Sequence, residues 1–132
     1  MAAADHGLVI VDVSDPLDPV VAARYRPIRI GAAEGLAVRE GLVYLAVGSQ
    51  IELKLPENEL ELATTRENGL HIVDTTDPYH AELLGKASFL GWVEGVHVRG
   101  EYAYVANAGT GVRSIDVRDP GRPVLVDTWN HP

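Results

Sequence analysis

GLVIVDVSDP, residues 7–16, decides the fold, because it returns as GLHIVDTTDP at 69–78 and as GVRSIDVRDP at 111–120. Gly7, Asp12, Asp15 and Pro16 reappear as Gly69, Asp74, Asp77 and Pro78, and again as Gly111, Asp116, Asp119 and Pro120. A second pair, EGLAVREGLVYLA at 34–46 and EGVHVRGEYAYVA at 94–106, aligns at an offset of sixty with six of thirteen positions identical. The later units are spaced 42 residues apart, from Gly69 to Gly111; the earlier two are 62 apart, a difference that is mostly one insertion. A period near 42 lies in the range of four-stranded propeller blades, each repeat being one supersecondary unit.

Local patterns agree. EGVHVRGEYAYVA reads as two strands rich in Val and Tyr around a tight Arg99-Gly100-Glu101 turn. GLVIVDVS is an almost continuous apolar run bounded by Gly and Asp-Pro, which predicts a strand buried on both faces. Its β-branched content and closing Asp-Pro favour strand over a short helix. PVVAARY at 19–25 and PVLVDTW at 123–129 each supply a fourth strand, whose leading Pro suits a sheet edge. The fold class is therefore all-β, a partial β-propeller of four-stranded antiparallel blades, apolar on both faces as stacked blades require.

Leu8-Val9-Ile10-Val11-Asp12 spells LVIVD, and on this string the chain resembles the LVIVD-repeat family of predicted β-propellers. The likeness covers nearly the whole chain apart from the insertion. Later copies drift: Leu70-His71-Ile72-Val73-Asp74 keeps most of it, while Val112-Arg113-Ser114-Ile115-Asp116 keeps chiefly the Asp. The resemblance implies a bacterial or archaeal surface or secreted repeat protein, hence an extracytoplasmic location, with no assigned biochemical role.

The outer strand pair occurs three times but the inner hairpin only twice, which makes ten strands, about two and a half blades. The division runs 1–29 for an incomplete first blade, 30–87 for a second blade with an insertion at 50–64, and 88–132 for a third. Closed propellers usually have at least four blades, so apolar faces are expected at both ends of the array. Their cover is expected from remaining blades of a longer chain or from self-association. Aligning Gly7 with Gly111 sets Met1 against Val105, in mid-strand, which predicts an internal start and a fragment of a larger propeller.

Composition narrows the function classes. The 132 residues carry 19 acidic against 11 basic side chains, a net charge of −8, so a phosphate-tracking nucleic-acid surface is not expected. There is no Cys, which excludes disulfides, thiolate metal sites and Cys nucleophiles. No apolar run approaches the roughly 18 residues of a membrane span, and MAAADHG lacks the features of a secretory signal.

Internal repetition separates structural from functional residues, since a residue needed by every blade recurs in every blade. Asp12, Asp74 and Asp116 stand beside turns and are expected to accept backbone N–H bonds, and Asp15, Asp77 and Asp119 to start turns. Glu34 and Glu94 both precede the Gly that opens an inner hairpin, near the mouth of a central channel. Carboxylates there could hold a hard cation such as Ca2+, although no cofactor is predicted. His97 replaces Ala37 near Glu94, whereas His71 replaces Val9 and is expected to be packed and hydrogen-bonded. No HExxH, phosphate loop or GxSxG elbow occurs.

The insertion departs most from the repeat. Ile51, Leu53 and Leu55 alternate with Glu52 and Lys54, and Leu60 and Leu62 flank Glu61, which predicts a protruding hairpin around Pro56-Glu57-Asn58-Glu59. The loops on the same propeller face hold Arg29, Phe89 and Trp92, aromatics beside charge suited to recognition. The expected function is a non-enzymatic binding or scaffolding module whose candidate binding residues are Arg29, Glu34, Phe89, Trp92, Glu94 and His97, with a cationic or uncharged partner. The alternative is a metal-dependent hydrolase or lyase with Glu34, Glu94 and His97 around the channel.

Overall fold

A computed structural model describes residues 2–3, 7–25, 33–48, 68–88, 92–108 and 111–129, and these are all-β. The strands are β1 (Ala2–Ala3), β2 (Gly7–Asp12), β3 (Val20–Tyr25), β4 (Ala33–Arg39), β5 (Leu42–Val47), β6 (Gly69–Asp74), β7 (Glu82–Ser88), β8 (Trp92–Arg99), β9 (Tyr102–Ala108), β10 (Gly111–Asp116) and β11 (Val124–Trp129). They form three antiparallel meanders: a first sheet β1-β2-β3, a central sheet β4-β5-β6-β7 and a third sheet β8-β9-β10-β11. Arg29, Phe89 and the insertion at 50–64 lie outside the described residues.

Registers repeat as faithfully as the sequence. Leu45 faces His71 as Val105 faces Arg113, and each β2, β6 and β10 meets its outer strand with a one-residue bulge at the same place. β1 is an eleventh strand where the repeat count gives ten. Its pairing of Ala2 with Leu8 and Ala3 with Gly7 matches that of Ala106 with Val112 and Asn107 with Gly111. Two residues carry too little hydrophobic pattern to announce a strand, but the alignment that sets Met1 against Val105 places them at the end of one, and the ladder agrees.

Two cores lie between the three sheets. Leu8 and, at its margin, Ile10 and Tyr25 of the first sheet pack on Val43, Leu45, Val47 and Val73 of the central one. From the opposite face of the central sheet, Tyr44, Ala46, Leu70 and Ile72 pack on Val93, Ala103, Val105, Ile115 and Val117. β6 is thus covered on both faces and buried from Gly69 through Val73, whereas Val11 of β2 and Val112 of β10 are only partly covered. Burying an Ile or Leu side chain such as Ile72 or Leu45 stabilises the fold by about 1.5–3 kcal/mol.

The hairpin turns differ in detail. Glu40 and Gly41 both take positive φ (52° and 78°), the demand of a two-residue type I′ connection. In the β8–β9 turn the Gly comes first, at Gly100 (φ 62°), and Glu101 keeps an ordinary backbone.

Candidate functional site

A meander sends alternate connections to opposite ends of a sheet. The β2–β3, β6–β7 and β10–β11 links and the two inner hairpin turns share one end, termed the turn end. The starts of β4 and β8, the end of β5 and the start of β6 belong to the other, the connection end.

The turn end is built from the recurring aspartates. Asp12 Oδ1 accepts the Ser14 N–H at 2.9 Å, Asp74 Oδ1 that of Thr76 at 2.9 Å, and Asp116 Oδ1 that of Arg118 at 3.0 Å. Asp15, Asp77 and Asp119 repeat the device, accepting the N–H of Leu17, Tyr79 and Gly121, each at 3.0 Å. Their own carbonyls close β-turns to the N–H of Asp18, His80 and Arg122. The expectation that these carboxylates serve turns agrees with this geometry.

Neighbouring sheets are also joined there. The Tyr79 hydroxyl donates to Asp12 Oδ2 at 2.6 Å, and this bond, with the Ser14 N–H, draws the Asp12 pKa down to about 2 while raising that of Tyr79. Asp74 is lowered by the backbone and side chain of Thr76, and Asp116 by the guanidinium and then the N–H of Arg118. Arg39 Nη1 donates to the Gly100 carbonyl at 2.6 Å, its guanidinium 5.9 Å from the Tyr44 ring centre. Between the first two sheets, the Tyr25 hydroxyl and Nδ1 of buried His71 share a 2.7 Å hydrogen bond, so His71 is the packed, bonded residue its place in a strand suggests.

At the connection end, Glu34 and Glu94 are the extra residues of matching β-bulges, between Ala33 and Gly35 and between Val93 and Gly95. Both are exposed. The two bulges adjoin, because a Cβ on Gly35 would stand 3.1 Å from the Gly95 Cα and 3.4 Å from the Glu94 carbonyl. Trp92 opens β8 opposite Ala108, and exposed His97 pairs with Tyr104. The structure therefore brings Glu34 and Glu94 onto adjoining strands, with His97 farther along β8.

Among the described residues no group of three or more His, Asp or Glu is arranged to hold a metal ion. No helix there is long and apolar enough to cross a membrane. Sequence reasoning passed over Tyr25 and Tyr79, whose signal was a broken repeat: Tyr79 stands where other units have Leu17 and Gly121, and Tyr25 where they have Ala87 and Trp129.

No curated protein matches the chain. The LVIVD repeat family model matches residues 1–26 and 90–131, just over half of it. Residues 33–48 and 68–88 lie outside those matches yet fold with the strand order and register of the third sheet. With the repeated pattern, this shows that the chain belongs to the LVIVD-repeat family.

Proposed function

We propose that this β-propeller-like repeat module is a non-enzymatic binding or scaffolding unit that uses its connection end. One observation carries the reading: the six recurring Asp carboxylates are engaged by the N–H groups of their own turns. The side chains that look most like a chemical array thus serve structure. The departures from the repeat (Arg29, Phe89, Trp92 and the 50–64 insertion) fall, in sequence, in or beside segments linking strands at the other end. With a net charge of −8, the expected partner is a cationic or uncharged protein or small ligand.

The test replaces 50–64 with a short turn and compares both proteins for far-UV circular dichroism, melting, and retention of cationic, neutral and anionic peptide panels. Unchanged folding with loss of cationic or neutral peptide capture is expected. Unfolding on replacement, or capture that survives it, counts against the proposal. The adjoining Glu34 and Glu94 bulges favour a second reading, a metal-dependent hydrolase or lyase with His97 as a further polar group. A melting temperature that no Ca2+ or Mn2+ addition shifts would remove its support.

A further inference from the structure

A glycine opens β2, β6 and β10, but the residue before it changes from unit to unit: His6, Asn68 and Thr110. The fold demands the glycine of β6, because Gly69 has a φ of 145° and a Cβ there would lie 2.0 Å from the Ala87 carbonyl oxygen. It does not demand the asparagine, since the other two units do without one. Asn68-Gly69 is therefore a dipeptide whose second member is fixed by sterics and whose first departs from the repeat.

That dipeptide carries chemistry of its own. The side-chain amide of an asparagine can be attacked by the backbone nitrogen of the next residue, and a following glycine hinders the attack least because it has no Cβ. The Gly69 nitrogen gives its proton to solvent base and bonds to Asn68 Cγ. The Cγ–Nδ2 bond breaks, and the amide nitrogen takes up a proton and leaves as ammonia. Water then adds to either carbonyl of the imide ring, and a ring C–N bond opens to leave aspartate or isoaspartate at position 68. Water is the only co-reactant, and nothing is oxidised or reduced.

The fold opposes closure of that ring. Asn68 is 4% exposed, and Gly69 is held between Val47 on β5 and Ser88 on β7, so its peptide is not free to swing toward the side chain. Either product would harm the fold that delays it. A carboxylate in place of the amide puts a charge at a buried position. Isoaspartate lengthens the main chain immediately before β6, the strand that sends Leu70 and Ile72 into one core and Val73 into the other.

We propose that Asn68 is a self-modification site, deamidated through an imide with Gly69 when the start of β6 opens, and that its conversion loosens the central sheet. The inference does not depend on the ligand reading above. Asn107 supplies the internal comparison: it is equally buried, at 3% exposed, but lies within β9 and is followed by Ala108.

The intact chain is incubated in mildly alkaline buffer, with and without concentrated urea, and amide-to-acid conversion is followed at each asparagine by peptide mass mapping. Conversion at Asn68 is expected to run ahead of Asn107 in both, with isoaspartate among the products. It should be about tenfold or more slower in the folded chain, because only locally opened molecules react. Chains converted at position 68 should melt at a lower temperature than fresh ones and lose hydrogen-exchange protection first in β6. Asn68→Thr, which borrows the residue of the third unit, should show no such fall in melting temperature with time. Conversion at Asn107 as fast as at Asn68, equal rates with and without urea, or converted chains that melt like fresh ones would each overturn the proposal. So would an equal fall with time in Asn68→Thr. If that variant does not fold, the urea comparison and the melting of converted chains decide on the intact sequence alone.

Discussion

Asp12, Asp74 and Asp116 stand at one place in three sheets, yet each carboxylate finds a different second partner: the Tyr79 hydroxyl, the Thr76 hydroxyl and the Arg118 guanidinium. A turn that needs a carboxylate tolerates whatever donor comes next, so long as the first oxygen holds its own N–H. The folded pKa of all three lies below the ordinary value, so their contribution to stability is present above the unfolded pKa and is lost as pH falls through the folded one. For Asp12 the window runs from 3.8 down to about 2. Melting temperatures should therefore fall across that range, and Tyr79→Phe should flatten the fall by raising the folded pKa of Asp12. A slope unchanged in Tyr79→Phe, measured by calorimetry, would contradict that assignment.

At the scale of the strand, the glycines that open β2, β6 and β10 all carry positive φ, at 72°, 145° and 98°. A Cβ on Gly69 would lie 2.0 Å from the Ala87 carbonyl oxygen, so neither backbone angle nor space admits one. Gly69→Ala should cost about 3 kcal/mol or more in urea unfolding. Gly100→Ala, which meets open space, should cost only about 1–2 kcal/mol from its left-handed backbone. These glycines, the strand runs and the Asp-Pro turns were legible in the sequence because each is a local demand repeated three times. The bulges at Glu34 and Glu94 were not. A bulge is a property of two paired strands, and nothing in Ala33-Glu34-Gly35 alone says that Val47 and Ala46 will stand opposite Ala33 and Gly35.

Across the whole molecule, protection from hydrogen exchange should follow cover rather than chain position. Amides of β5 and β6, buried on both faces of the central sheet, should exchange slowest, and those of the edge strands β3 and β11 fastest. Equal protection throughout would contradict the layered core. The bonds between sheets were beyond sequence reading for a geometric reason: Tyr79 and Asp12 are 67 residues apart and Arg39 and Gly100 are 61 apart, so only the stacking places them together. Of the candidate site, the repeat disclosed Glu34 and Glu94 as a pair, but the approach of their two bulges depends on how two backbones meet. That meeting has a consequence for curvature. Where Gly35 faces the Gly95 backbone, the separation of the inner strands is set by bare main chain. A side chain on Gly35 would act as a spacer at the narrow edge of a wedge. The angle between successive sheets would shrink, and the circle the array describes would widen. The absence of one methyl group, at Gly35, thus helps to fix how many sheets complete a turn.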